Sequence, residues 1–160
     1  MSTSLPPRSS RDQLIAITLE LLDDHHPEDL SLREVARRAG LTSGAPAHHF
    51  GNKLGLLAAC AETAWTELCV RLEAEDTSSG SEDGLRNQAR AYIAYALDNP
   101  GPYRLIASRL FDDAEHFPQI SEWRNRTMRT MVDLIPQPTD DPKHPWRRCL
   151  AVWALLHGYV

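Results

Sequence analysis

Ser31 to Lys53 reads SLREVARRAGLTSGAPAHHFGNK. Ser31 and Glu34 stand at the spacing of a capping box, in which each side chain accepts from the other residue's backbone N–H, so a helix is expected to start at Leu32. Leu30 and Val35 fall at the positions of a hydrophobic staple. Leu32, Val35, Ala36 and Ala39 then form one apolar face, with Arg33, Arg37 and Arg38 on the other. Small residues at 36 and 39 permit a close helix crossing. Gly40 is expected in the left-handed conformation that ends the helix, and the turn Gly40-Leu41-Thr42 leads into a second helix.

That second helix is predicted from Gly44 to Phe50, capped by Thr42 or Ser43. Counted from Ser43, Pro46 takes the third helical position, where its missing N–H has no helical partner to lose. Its outer side presents Ser43, Ala45, Ala47, His48 and His49, and Lys53 opens the following helix. Small residues, hydroxyls, imidazoles and an ammonium around a helix N-terminus suit a surface that lies in the major groove. The two histidines also admit a solvated polar pair; as a metal site they are poor, because adjacent helical residues diverge.

The spacing of cap, turn glycine, His-Phe and lysine resembles the DNA-binding domain of the TetR family of bacterial transcriptional regulators. The residues that carry it are Ser31, Val35-Ala36-Arg37-Arg38-Ala39-Gly40, Ser43-Gly44-Ala45, His49-Phe50 and Lys53, within the first third of the chain. The resemblance implies double-stranded operator DNA as partner, with Ser31, Arg33, Thr42, Ser43, Gly44, Ala45, His48, His49 and Lys53 at the interface. Most relatives place a tyrosine on the sugar-phosphate backbone where this chain has Ala47, so His48 is expected to substitute.

The chain has 160 residues, 42% of them hydrophobic and 24% charged, which is the composition of a soluble globular protein. No apolar run approaches the ~18 residues a membrane span needs, and MSTSLPPRSSRDQ lacks the apolar core of a signal peptide, so a cytoplasmic protein is expected. Cys60, Cys69 and Cys149 form no C-x-x-C pair and read as buried thiols, with no metal and no cofactor implied. The net charge of −5 speaks against indiscriminate nucleic-acid binding, but Ser31–Lys53 has four basic residues and one acid. Binding that is specific and steeply salt-dependent is therefore expected.

Either side of this stretch the pattern is helical. Residues 1–9 read as a mobile arm, from which Arg8, together with Arg11, has phosphates within reach. Ser10 and Gln13 repeat the capping-box spacing before Leu14, Ile17, Thr18, Leu21 and Leu22. Leu54, Leu57, Ala58, Ala61, Trp65, Leu68 and Leu72 mark a long helix that links the DNA-facing unit to the rest. Further helices follow a turn at residues 77–81: one ending at Asn99-Pro100-Gly101, one from Pro102, one after Phe117-Pro118, and a last one after the loop PQPTDDPKHP. There is no convincing alternating strand. The fold class is thus all-α: an N-terminal three-helix bundle with a helix-turn-helix over 1–53, and a C-terminal helical domain for ligand and dimerisation over 54–160.

ALDNPGPYRL, a proline-rich loop and Trp153-Ala154-Leu155-Leu156-His157-Gly158 are similar to TetR-family regulators with a W-x-x-x-H-G signature. That resemblance implies a small-molecule effector pocket and a homodimer formed by the final two helices. Its candidate lining is Trp65, Tyr92, Tyr95, Tyr103, Phe111, Trp123, Met128 and His157, mostly apolar with few polar groups. Plain core packing is the simpler account of aromatics at helical spacing, and of His157. Val160 falls inside the apolar helix, which points to a chain cut short or to pairing of that exposed end with another chain. No phosphate loop, H-E-x-x-H or G-x-S-x-G is present, and Asp112-Asp113, Glu115 and His116 read as an exposed helix end, so an enzyme is not expected. The competing reading is a helical protein-interaction module with weak or vestigial DNA binding.

Overall fold

The computed structural model describes residues 9–75 and 81–134, together with 154, 155 and 158. Expectations for the N-terminal arm up to residue 8, for residues 76–80, and for the proline-rich loop, Cys149, Trp153 and His157 lie outside the described residues. Among the described residues run seven α-helices: α1 (Ser10–Asp24), α2 (Leu32–Arg38), α3 (Ala45–Phe50), α4 (Lys53–Glu73), α5 (Ser81–Asp98), α6 (Pro100–Ala107) and α7 (Pro118–Val132), with a 3-10 turn at Arg109–Phe111. No strand occurs among them.

α1 starts one residue earlier than its capping-box spacing suggests. Ser9, not Ser10, is the N-cap, and its hydroxyl accepts from Asp12 N–H at 3.2 Å. The buried stripe of α1 is Leu14, Ile15, Thr18, Leu21 and Leu22. The Thr18 hydroxyl donates to the Leu14 carbonyl at 2.7 Å, which explains how a polar residue sits fully buried there.

α4 is the axis of the molecule. Leu56, Leu57, Ala59, Cys60, Ala61, Ala64, Trp65, Leu68, Cys69 and Leu72 are all buried, a face too wide for one neighbour, because α1 and α3 cover its beginning and α5, α6 and α7 the remainder. Leu54, expected in this stripe, is 43% exposed. At the first turn of α4 it is Gly55 that meets the end of α3, and Leu54 points to solvent. Each fully buried leucine in this core, such as Leu68 or Leu72, is worth about 1.5–3 kcal/mol in removal from water.

α7 lies along α4 and is tied to it by Arg126, whose guanidinium donates to both Glu73 oxygens at 2.6 and 2.7 Å and stacks 5.2 Å from the Trp123 ring. α5 and α6 meet at Asn99. Its backbone N–H and side-chain amide both return to the Tyr95 carbonyl, and Pro100 opens α6 directly, so the break is shorter than the Asn99-Pro100-Gly101 turn expected.

Candidate nucleic-acid interface and buried aromatic cluster

The helix-turn-helix is α2 and α3. Ser31 is the N-cap residue of α2 by backbone, extended at φ −104° and ψ 120°, but no side-chain capping bond forms. Glu34, the expected partner in a capping box, instead accepts from Arg37 (2.8 and 2.7 Å) and from Arg38 (3.0 Å). Two guanidiniums three and four residues away outcompete one backbone N–H for the carboxylate. They also hold the Glu34 carboxyl down to about 2, from an ordinary value of 4.5. Leu30 and Val35, the staple pair, are both buried in the hydrophobic core.

The turn forms as its glycine predicts. Gly40 has φ 67°, Leu41 N–H donates to the Ala36 carbonyl at 2.9 Å and Gly40 N–H to Arg37 at 3.2 Å, which together make a Schellman ending. α3 begins later than expected: Gly44 is its N-cap, and Thr42 contributes only its carbonyl, bonded to Ala45 N–H at 3.0 Å. Pro46 is accordingly the second helical residue, still among the positions whose N–H has no helical acceptor. It is buried, and so fastens α3 to the core while its neighbours face out.

Of the nine candidate DNA contacts, Ser31, Arg33, Thr42, Ser43, Gly44, His48 and His49 are exposed, and Ala45 and Lys53 half-buried. Ser31, Arg33 and Ser43 line one groove of about 390 Å³ between α2 and the start of α3, together with Glu34, Arg37 and Leu41. The rings of His48 and His49 stand edge to face with centroids 5.2 Å apart. Lys53 departs from the picture of a free cation, since its Nζ donates to the Glu28 carbonyl in the α1–α2 connection. An ammonium has three donors, so this bond orients the group and leaves others for a phosphate.

Three residues that position this surface were not singled out from sequence. Asn52 caps α4 through Oδ1, accepting from Gly55 N–H at 2.9 Å; Gly51 turns the chain at φ 74°; and a Cβ on Gly55 would lie 2.1 Å from the Phe50 carbonyl oxygen. The G-N-K-x-G spacing was the available signal. Arg11 packs its guanidinium 5.4 Å from the Phe50 ring, which brings the start of α1 beside α3.

The second candidate set is brought together in the C-terminal core. Trp65, Tyr92, Tyr95, Tyr103 and Phe111 are buried in one cluster, with Trp123 and Met128 half-buried against it. The Tyr92 and Tyr103 hydroxyls are 3.1 Å apart and their rings edge to face. Tyr95 donates to the Ala64 carbonyl at 3.0 Å, and burial pushes its phenol up. Gln88, one turn before Tyr92, was missed because a glutamine among polar residues of α5 gives no apolar signal. It is 2% exposed; its Nε2 reaches the Leu72 carbonyl at 3.4 Å and its Oε1 has no hydrogen-bond partner. Cys60 and Cys69 are buried free thiols, and burial pushes Cys60 up to about 12. Among the described residues no group of three metal-ligating side chains converges, and no helix is long and apolar enough to cross a membrane.

An all-helical chain whose exposed helix-turn-helix is carried on a long central helix into a second helical domain defines a DNA-binding regulator architecture. Residues 14–60 match the profile of bacterial regulatory proteins of the tetR family, and residues 85–160 that of the tetracyclin repressor-like C-terminal domain. The chain belongs to the TetR family of bacterial transcriptional regulators, a family of non-enzymes. It is 36% identical over 89 residues to the HTH-type transcriptional regulator BetI of Stenotrophomonas maltophilia, a match covering 56% of this chain and 44% of that one. BetI 1 of Chromohalobacter salexigens is 47% identical over 47 residues, 29% of this chain and 23% of that one. These alignments thus span less than half the length of the curated relatives. Among solved structures, a Rhodococcus sp. RHA1 protein of unknown function superposes with TM-score 0.78 at 26% identity, over 98% of this chain and 84% of that one. The TetR-family regulator PfmR of Thermus thermophilus gives 0.74 at 18%, over 92% and 84%, a likeness of fold.

Proposed function

We propose that this regulator is a ligand-responsive repressor that binds a palindromic operator as a homodimer in the bacterial cytoplasm. The observation that carries the reading is the exposed face of α2 and α3: Ser31, Arg33, Thr42, Ser43, His48 and His49 point outward around a helix start while Pro46 anchors that helix from behind. The Ser31 and Thr42 hydroxyls, Arg33 and Lys53 meet phosphates, and Ser43 and His48 meet base edges. Two copies of α3 in successive major grooves stand about 34 Å apart, a separation that the long helix α4 transmits from the C-terminal domain.

The effector site is the aromatic cluster of α4, α5, α6 and α7, in the subgroup bearing W-x-x-x-H-G. The buried, unpaired Gln88 Oε1 and the Tyr92–Tyr103 hydroxyl pair supply the few polar groups that fix a mostly apolar ligand. A ligand acts only through its different affinity for the DNA-bound and released states. The test is fluorescence anisotropy on duplex from upstream of the protein's own gene and a scrambled duplex over a salt series. Tight, sequence-dependent, steeply salt-sensitive binding is expected; equal weak binding to both duplexes would overturn the reading.

A further inference from the structure

α1 and α6 each lack a complete cap of their own. α1 has no basic residue in its last turn, and both the backbone N–H and the ring Nδ1 of its C-cap residue, His25, turn back to the Leu21 carbonyl, 3.0 Å away in each case. The next two carbonyls, Leu22 and Asp23, instead receive Arg104 Nη2 from α6, at 2.7 and 3.0 Å. At the other end, the N-cap of α6, Asn99, makes no side-chain capping bond, and Pro100 has no N–H to offer. The first available donor, Gly101 N–H, goes to Asp23 Oδ1 at 3.0 Å. A carboxylate thus sits at the positive end of α6 and a guanidinium at the negative end of α1, each supplied by the other helix.

The contact requires glycine. A Cβ on Gly101 would lie 2.3 Å from the Leu22 carbonyl carbon and 2.4 Å from its oxygen, both backbone atoms that cannot give way. We infer that α1 and α6 cap one another across the boundary between the DNA-binding head and the C-terminal domain, with Arg104, Asp23 and Gly101 as positioning residues. This reciprocal cap is a second connection, beside the continuous helix α4, through which the C-terminal domain sets the angle of the head.

Its placement serves that role. Tyr103, next to Arg104, points its hydroxyl into the buried cluster toward Tyr92, so adjacent residues of α6 face the core and α1. Past the cap, the α1–α2 connection is separated from the end of α6 by a cleft of about 680 Å³, with His26, Pro27, Glu28 and Asp29 on one side and Ser108, Arg109 and Leu110 on the other. The end of α1 is therefore fastened along α6, with open space beside it where the α1–α2 connection leaves the contact.

The effect on DNA binding rests on the regulator function proposed above, but the cap itself is read without DNA or effector. Amide exchange followed by mass spectrometry on the whole protein, with calorimetry alongside, compares Arg104→Met, Asp23→Ala and Gly101→Ala with wild type. Arg109→Met is the control, since that side chain is 94% exposed and, among the described residues, pairs within its own turn, with Asp112. Loss of the cap should speed exchange in α1, α2 and α3 by about tenfold, leave α5 and α7 unchanged, and split or broaden the melt. Arg104→Lys, whose ammonium has donors enough for both carbonyls, should keep wild-type exchange and so guards against a variant that merely misfolds. Exchange that rises equally in both domains, or not at all, would overturn the proposal. In the anisotropy assay the cap-breaking variants should lose discrimination between operator and scramble while Arg109→Met retains it; equal discrimination in all would overturn the coupling.

Discussion

Replacing Lys53 by methionine keeps the stem and removes the charge, and the structure separates two consequences. The first is local. Nζ donates to the exposed Glu28 carbonyl, and losing one such bond costs less than about 1 kcal/mol, or a fall of no more than about 4 °C in Tm for a chain of this size. The second is electrostatic. Each phosphate contact contributes about 0.9 to the slope of log affinity against log salt, so losing Lys53 from both subunits of the proposed dimer should flatten that slope by about 1.8. Between about 50 and 200 mM salt, roughly a fourfold change, the gap between wild type and variant should then narrow about twelvefold. Anisotropy titrations across a salt series on operator and scrambled duplex read this directly, with Lys53→Arg expected to retain the wild-type slope. Parallel lines for wild type and Lys53→Met, offset by a constant, would refute the phosphate assignment and leave Lys53 as a fastener of the α1–α2 connection.

Changing Ser43 or His48 should alter which duplex is preferred; competition binding against single-base operator variants reads this, and equal losses on operator and random DNA would remove both from base reading. Tyr95→Phe should cost about 1 kcal/mol in chemical denaturation, because it deletes the buried bond to the Ala64 carbonyl, and leave any effector response intact, since the ring remains; a lost response at full stability would make the Tyr95 hydroxyl itself a ligand contact. Glu34 is held down to about 2 when folded, against 4.5 ordinarily, so its pairing with Arg37 and Arg38 stabilises fully above the ordinary value and is lost as pH falls through the folded one. The melting difference between wild type and Glu34→Gln should therefore stay constant from neutrality to about pH 4.5 and shrink below it; a difference already gone at about pH 6 would contradict the ion-pair geometry.

Much of the head was legible because its signals are local. Gly40 at a helix end dictates a left-handed residue and the Schellman bonds that follow, and Val35 and Ala36 one turn from Leu32 dictate which side faces inward. The misreadings arose where one residue had several partners within reach. Glu34 satisfied a capping-box spacing and an i, i+3 and i, i+4 ion-pair spacing at once, and the stronger charge-assisted bonds prevailed. Ser10 matched the capping-box spacing, but Ser9, one residue earlier, carries the same hydroxyl and is the residue that caps the helix.

For the candidate site, sequence placed the hydroxyls, Arg33 and the histidines on one exposed surface, since turn and helix periodicity are enough to orient them. It did not show that the Lys53 ammonium rests on Glu28, 25 residues earlier in the chain, or that Gln88 is buried. By itself the sequence determined the all-helical class, the helix-turn-helix and the family, because caps, turn glycines and a 3.6-residue period act over a few neighbouring residues. Only the tertiary structure decided that Leu54 faces solvent, that Tyr95 bonds α4, and that α1 and α6 share their caps. The shared caps depend on which helix ends meet across about 80 residues of chain, and the Tyr95 bond on a pairing 31 residues apart, distances over which no local spacing carries information.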